Sequence, residues 1–209
     1  MGEKAQHIVA DRVPLPYRLL EHPAVFSLTQ KLNPWTVGAY ENFVRSKVKL
    51  TPAMRVLDIG CGVGVHKAML EPGVYTGIDI NPAYIDYASR RHGSGFLVMD
   101  ANAIEFPSHS FEAALSVATC HHLSDDVIRS MVKEVMRVMT PEGKLHIVDP
   151  VLPVNPQAKM KTRIFLSDRG QFQRTFSQMR ALLSSCGKIT DEDVHEGLVH
   201  DVSYFAVTA

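Results

Sequence analysis

Arg55-Val56-Leu57-Asp58-Ile59-Gly60-Cys61-Gly62-Val63-Gly64 is the stretch that decides the fold. Val56, Leu57 and Ile59 form a short apolar run bounded by glycine, the pattern of a buried strand. The glycines at 60, 62 and 64 permit a tight turn at the end of that strand and let a ligand approach bare backbone. We expect the turn to open a helix whose N–H groups lie near that ligand. Asp58 stands two residues ahead of the first glycine. Its carboxylate would repel a pyrophosphate and attract an ammonium group. Nicotinamide and flavin sites space their glycines as G-x-G-x-x-G, so both the spacing and Asp58 weaken a dinucleotide reading.

Working outward, short runs rich in Val and Ile alternate with helical patterns. Strands are expected at 74–79, 95–100, 111–119 and 144–149. The clearest helix is 125–139, where Val127, Met131, Val135 and Val138 lie on one stripe with Ile128, Val132, Met136 and Met139 beside it. Ser124, Asp125 and Asp126 supply its cap and a negative first turn. Strand and helix repeated in this way imply parallel strands, right-handed crossovers and helices on both faces: a doubly wound sheet. After Pro150 the pattern changes. Leu152-Pro153-Val154-Asn155-Pro156 reads as a loop, 158–174 as basic and weakly periodic, and 176–186 as a helix stopped by Gly187. Runs at 188–194 and 203–208 can pair as an antiparallel edge. The first fifty residues read as helices, at 25–32 and from Asn33-Pro34 to Ser46, laid over the sheet or its ligand crevice.

The chain has 209 residues, with 22 Lys+Arg against 22 Asp+Glu and 45% hydrophobic residues. At roughly 150 residues per domain this is one domain. It can bury about 70% of its unfolded surface without disulfides or a structural metal. A formal net charge of zero gives no broad electrostatic footprint for a phosphate backbone, which argues against an obligate nucleic-acid binder. Cys61, Cys120 and Cys186 have no paired spacing and suit a reducing compartment, so a cytoplasmic location is expected. Met1-Gly2-Glu3-Lys4-Ala5-Gln6-His7 has no apolar signal core and carries Gln6 where a myristoylation signal has Ser or Thr. No stretch approaches the roughly 18 apolar residues of a membrane span.

In an open parallel sheet, ligands bind beyond the carboxyl ends of the strands where strand order reverses. The second strand ends in Asp79 and the third in Asp100, each able to accept hydrogen bonds from ligand hydroxyl or amine donors. The fourth ends in Ala118-Thr119-Cys120-His121-His122, which brings polar groups to the same rim. With these strand ends together, the chain resembles a class I S-adenosylmethionine-dependent methyltransferase of the broad small-molecule type. Val56 to Gly64 fits the family's first motif, and Gly77-Ile78-Asp79-Ile80-Asn81 resembles its acidic strand-two motif, which implies that Asp79 holds both ribose hydroxyls. Met99-Asp100-Ala101 resembles the adenine-contacting motif, with Asp100 facing the exocyclic amine. Ser110-Phe111-Glu112 departs from the usual S-F-D, at a surface turn, and Pro141-Glu142-Gly143-Lys144-Leu145 is similar to the P-G-G turn with Glu142 replacing its first glycine.

The resemblance covers 52–149 by motif and extends to 209 by element order. It implies an α/β, Rossmann-like sheet of seven strands in the order 3-2-1-4-5-7-6, strand 7 antiparallel, with helices on both faces. It implies S-adenosyl-L-methionine as cofactor and S-adenosyl-L-homocysteine as product. Asp58, Gly60, Cys61, Gly62, Gly64, Asp79, Ile80, Asp100, Ala101 and Ala118 are the cofactor-binding residues so implied. The expected organisation is one domain, with 1–50 as a helical cap or lid, 51–209 as the methyltransferase domain and 151–175 as a substrate-side insertion.

Methyl transfer is an in-line displacement at an activated methyl carbon, so positioning carries most of the catalysis and no metal is required. A hydroxyl or amine acceptor needs a base for its proton. His121 and His122, just beyond strand four, are the catalytic candidates, with packing or helix capping as the competing role. Cys120-His121-His122 is not expected to bind metal, because three consecutive side chains rarely chelate one ion and no companion ligands are visible. Cys61 reads as a small turn residue and Cys186 as core near a helix end. Arg163, Asp168, Arg169 and Arg174 are candidates for substrate recognition, a solvated loop being the alternative. Tyr17, Trp35 and Tyr40 are candidates for a lid over the methionine end of the cofactor, packing onto the sheet being the alternative. His66, near the start of the first helix, is a candidate contact for the cofactor carboxylate. Arg90-Arg91-His92 reads as a helix end whose cations complement its dipole.

Strand four is not followed by [N/D]-P-P-[Y/F], and there is no Pro-Cys nucleophile, which disfavours methylation of nucleic-acid bases. The expected acceptor is a small molecule, including a short lipid-like or sugar-like one, methylated at O, N or C. Two alternatives stand beside this: a catalytically silent cofactor-binding protein with an interaction or regulatory role, and an NAD(P)-dependent oxidoreductase.

Overall fold

Alternation in β1 (Arg55–Ile59) sends Leu57 and Ile59 to one face of a sheet and Val56 to the other. The computed structural model describes residues 34–155, 157–166, 171–197 and 200–209, with isolated positions at 23, 25 and 27. The further strands are β2 (Val74–Asp79), β3 (Phe96–Val98), β4 (Phe111–Val117), β5 (Met139–Val151), β6 (Lys188–His195) and β7 (Asp201–Thr208). They order as β3-β2-β1-β4-β5-β7-β6. β1 to β5 run parallel, and β7 is antiparallel to both β5 and β6. The helices are α1 (Pro34–Lys47), α2 (Pro82–His92), α3 (Asp125–Val138), α4 (Lys159–Leu166) and α5 (Phe176–Ser184).

Leu57, Ile59, Ile78, Leu145 and Ile147 form one face of the core, covered by α3 and α5. Ile128, Met131, Val132, Val135 and Val138 of α3 are all fully buried there. At about 1.5 to 3 kcal/mol per buried large apolar side chain, that stripe contributes roughly 10 kcal/mol against chain entropy. The opposite face, Val56, Leu115, Val117, Val148 and Tyr204, is covered by Tyr40, Phe43 and Val44 of α1. At the outer edge, Lys47 of α1 lies 3.3 Å from both Asp191 and Asp193, and Arg180 of α5 lies 2.8 Å from Glu192. Among the described residues no helix is long and apolar enough to cross a membrane.

Several boundaries differ from expectation. The glycine turn opens no α-helix; it leads into a single 3-10 turn, Lys67–Leu70. Only residues 65–73 separate Gly64 from β2, and Pro72-Gly73 leaves no room for a longer helix. β5 runs well past 144–149 at both ends, because Met139 still pairs with Phe111 of β4 and Val151 with Asp201 of β7. The basic stretch 158–174 contains the two-turn α4. Ser124 sits at the start of α3 without a side-chain cap bond. Glu112 is the second residue of β4, where it accepts from the backbone N–H and guanidinium of Arg55 and ties β4 to β1. Of the expected helix at 25–32, positions 25 and 27 are helical and the remainder lies outside the described residues.

Candidate functional site

Gly60, Gly62 and Gly64 have φ of 68°, 53° and 79°, a left-handed conformation that L side chains rarely adopt. Gly60 also answers to crowding, since a Cβ there would lie 2.6 Å from Thr119 Oγ1 at the end of β4. The N–H groups of this turn are engaged within the protein. Those of Gly60 and Cys61 donate to the Ile78 carbonyl at 2.9 and 3.0 Å, and that of Gly62 donates to Asp79 Oδ2 at 3.0 Å. This corrects the expectation that the turn offers these donors at a helix N-terminus; a phosphate would find none of the three free.

Asp79 closes β2. Its Oδ1 accepts from the Asn81 N–H at 2.8 Å while Oδ2 takes Gly62, so the carboxylate is fixed between the glycine turn and the start of α2. Burial pushes its carboxyl up, and the two backbone bonds oppose that shift. Asp58 is 1% exposed and accepts from the Tyr75 hydroxyl at 2.9 Å. Burial pushes its carboxyl up to about 7, with Tyr75 pulling down and the charge of Asp79 adding to the rise. Asp58 and Asp79 thus share one electrostatic site at the ends of β1 and β2.

Beyond β3, Asp100 is exposed, and its Oδ1 accepts from the N–H and the side-chain amide of Asn102 at 2.8 and 2.9 Å. Ile80, just after Asp79, is 62% exposed, an apolar side chain left at the rim. Ala101 packs against the core below it.

At β4 the chain turns through Ala118, at φ 50°, a strained position for a residue with a side chain. The turn delivers three successive N–H groups, of Thr119, Cys120 and His121, to the carboxylate of Asp149 at 2.9, 2.7 and 3.1 Å. Asp149 is fully buried, and its Oδ1 lies 3.0 Å from His121 Nδ1. A carboxylate only accepts, so Nδ1 carries the proton and Nε2 is the basic nitrogen of the neutral ring. His121 is 5% exposed, whereas His122 is exposed with its ring 4.0 Å from that of His121.

Arg174, a candidate for recognition with a solvated loop as the alternative, is not solvated: it is buried as a brace for this loop. Its guanidinium donates to the carbonyls of Cys120, Leu123 and Phe172 and to Asp125 at the start of α3. Arg163 is exposed on α4; Asp168, Arg169 and Tyr17, and the side chain of Trp35, lie outside the described residues. Tyr40 packs into the core and meets His200 Nε2 at 3.1 Å. Cys61 and Cys120 are buried thiols whose pKa burial pushes up. His66 is buried at the 3-10 turn, and burial pushes its imidazole down to about 4. Arg90, Arg91 and His92 close α2 as expected. Among the described residues no three His, Cys, Asp or Glu side chains are grouped to hold a metal ion.

Two residues of the site escape the sequence reading. Asp149 is legible by the rule applied to the other strands, a polar residue at a carboxyl end. Tyr75 is legible from its spacing, since 75, 77 and 79 share one face of β2.

This sheet order with β7 reversed, and acidic residues closing β1, β2 and β3, define the class I methyltransferase architecture. Residues 56–143 match the model of a family described as a methyltransferase domain. It is 33% identical over 150 residues to the fatty-acid O-methyltransferase of Mycolicibacterium smegmatis, covering 66% of this chain and 53% of that enzyme. It is 35% identical over 107 residues to the 2-methyl-6-phytyl-1,4-hydroquinone methyltransferase of Synechocystis, covering 48% of this chain and 33% of that one. The chain therefore spans about half the length of the first relative and a third of the second. Among solved structures, the PH0226 protein of Pyrococcus horikoshii shares the fold with a TM-score of 0.71 at 18% identity, covering 94% of this chain and all of that one.

Proposed function

We propose that the chain is an S-adenosylmethionine-dependent methyltransferase acting on a small, lipid-like acceptor. The observation that carries this is the pairing of Asp79, fixed between the glycine turn and α2, with the buried Asp58 beside it. The residues present fit that cofactor. The left-handed glycines keep side chains away from the turn, Asp79 is held by one backbone N–H on each oxygen and would accept ribose hydroxyls on its remaining lone pairs, exposed Ile80 offers an apolar face to a base, and Asp100 stands beyond the next strand end. When bound, the cofactor supplies a methyl group already activated for in-line displacement. Asp58 attracts the ammonium group of the ligand. Asp79 and Asp100 orient its ends, and orientation is the larger part of catalysis in this chemistry.

His121 is the catalytic base of this proposal, for acceptors that carry a proton. Asp149 holds its tautomer and ring, as a buried carboxylate holds the imidazole of a hydrolytic triad. His122 is exposed beside it. The lipid-like acceptor class is supported by the fatty-acid and phytyl-hydroquinone names of the two relatives.

Calorimetric titration with S-adenosylhomocysteine is the test, with Asp79→Ala as control and NADH as competitor. Micromolar binding weakened by about 1 to 3 kcal/mol in the variant is expected. Absence of binding, or equal binding by the variant, would remove the cofactor assignment. Methyl transfer is then read by following S-adenosylhomocysteine release over a panel of fatty acids, phenols and alcohols. Binding without transfer to any of them would favour the silent cofactor-binding alternative.

A further inference from the structure

We infer that Tyr75 is a positioning residue whose hydroxyl, carried across the bare backbone of Gly77, holds the Asp58 carboxylate for an ammonium group. This rests on the assignment of Asp58 to the cofactor made above.

Tyr75 pairs in register with Val56, and Gly77 with Asp58. Tyr75 therefore starts two residues short of the ligand end of the sheet, and only a long side chain running along the strand reaches Asp58. Gly77 makes that path open. A Cβ at 77 would meet the Tyr75 hydroxyl and would stand 2.9 Å from both Tyr75 Cζ and Cys61 Sγ. The glycine here serves a close approach and not a left-handed φ. The ring is held in place by Phe96, with centroids 5.2 Å apart, and by Lys67 Nζ 5.5 Å from its centre. Lys67 is itself fixed, donating to the carbonyls of His92 and Ser94 at 2.8 Å each.

The groups that face Asp58 are Tyr75 and Asp79 from β2 and Cys61 from the glycine turn. Burial pushes the Tyr75 phenol and the Cys61 thiol far up, so both stay neutral and Tyr75 remains a donor. Burial and the Asp79 charge both favour the protonated form of Asp58, and the Tyr75 bond is the contact that favours the ionised one. A protonated Asp58 has no charge with which to attract an ammonium.

The test is titration of S-adenosylhomocysteine into wild type and Tyr75→Phe between about pH 6 and pH 9, around the range where a raised carboxyl titrates. Titration of the ligand's own amine is common to both proteins and cancels in the comparison. The variant is expected to move the affinity midpoint up by about one pH unit. Binding should be about tenfold weaker below the wild-type midpoint and converge with wild type at the alkaline end. An unmoved midpoint, or a uniform loss at every pH, overturns the positioning role while leaving the cofactor assignment intact. Failure of the wild type to bind at any pH overturns both. Should Tyr75→Phe not fold, 3-fluorotyrosine installed at 75, a stronger donor of similar size, is expected to move the midpoint down; no movement there refutes the inference.

Discussion

His121 Nδ1 lies 3.0 Å from Asp149 Oδ1, and the same carboxylate gathers the backbone N–H groups of residues 119 to 121. One buried side chain thus sets both the path of the loop after β4 and the tautomer of the ring upon it. His121→Gln should lower turnover about a hundred- to ten-thousand-fold with S-adenosylhomocysteine affinity unchanged, read by steady-state kinetics beside calorimetry. Asp149→Ala leaves those buried donors without an acceptor and should destabilise the fold by about 3 to 5 kcal/mol in urea titration. A loss of activity in Asp149→Ala with unchanged stability would contradict the dual role.

Arg174 gathers carbonyls from both sides of the same loop. Arg174→Ala should cost about 2 to 3 kcal/mol, roughly 5 to 10 °C in Tm by calorimetry. Arg174→Lys should recover little, since an ammonium cannot span three carbonyls and Asp125 as the planar fork does. Full recovery by lysine would mean that charge alone matters.

Gly60→Ala combines a positive φ with contact against Thr119. A loss of about 2 to 3 kcal/mol is expected, of which the steric share should return in a Gly60→Ala, Thr119→Ala pair. Strict additivity of the two substitutions would show that the approach of the β1 and β4 turns is not tight.

The pH dependence of stability carries two opposed contributions. Burial raises Asp58 from 3.8 to about 7, so the folded state holds a proton that the unfolded chain has released, and stability from this group declines as pH rises through that window. Burial lowers His66 and His146 from 6.5 to about 4, so their contribution is present above 6.5 and lost as pH falls toward 4. Asp58→Asn should therefore steepen the gain in stability between about pH 4 and 6.5 and abolish the decline toward pH 7, as read by urea midpoints. An unchanged profile would show that Asp58 titrates normally in the folded protein.

The positions of the first four strands were legible because each is closed by glycine or a polar residue, and their order came only from the family resemblance that those strand ends carry. β5 was less so: Pro141 and Gly143 read as a turn, and they fall in the register shift where pairing with β4 passes from Met139 to Lys144, while β7 pairs only from Leu145 to Val151. The rim proposed for the cofactor was legible as a cluster of strand-end carboxylates, Asp58, Asp79 and Asp100. What Arg174 does was not, because its partners at Cys120 and Leu123 lie about fifty positions away with no local pattern to announce them. The missing first helix follows from chain length between Gly64 and Val74, which periodicity alone does not weigh.

The two borders of the sheet differ in how they end it. β3 is three residues long, too short to template another chain, and β6 sets Asp191, Glu192 and Asp193 along its length under guard of Lys47 and Arg180. Brevity on one side and charge on the other discourage edge-to-edge growth into fibrils, so the protein should stay dispersed at concentrations where a bare apolar border would nucleate aggregates.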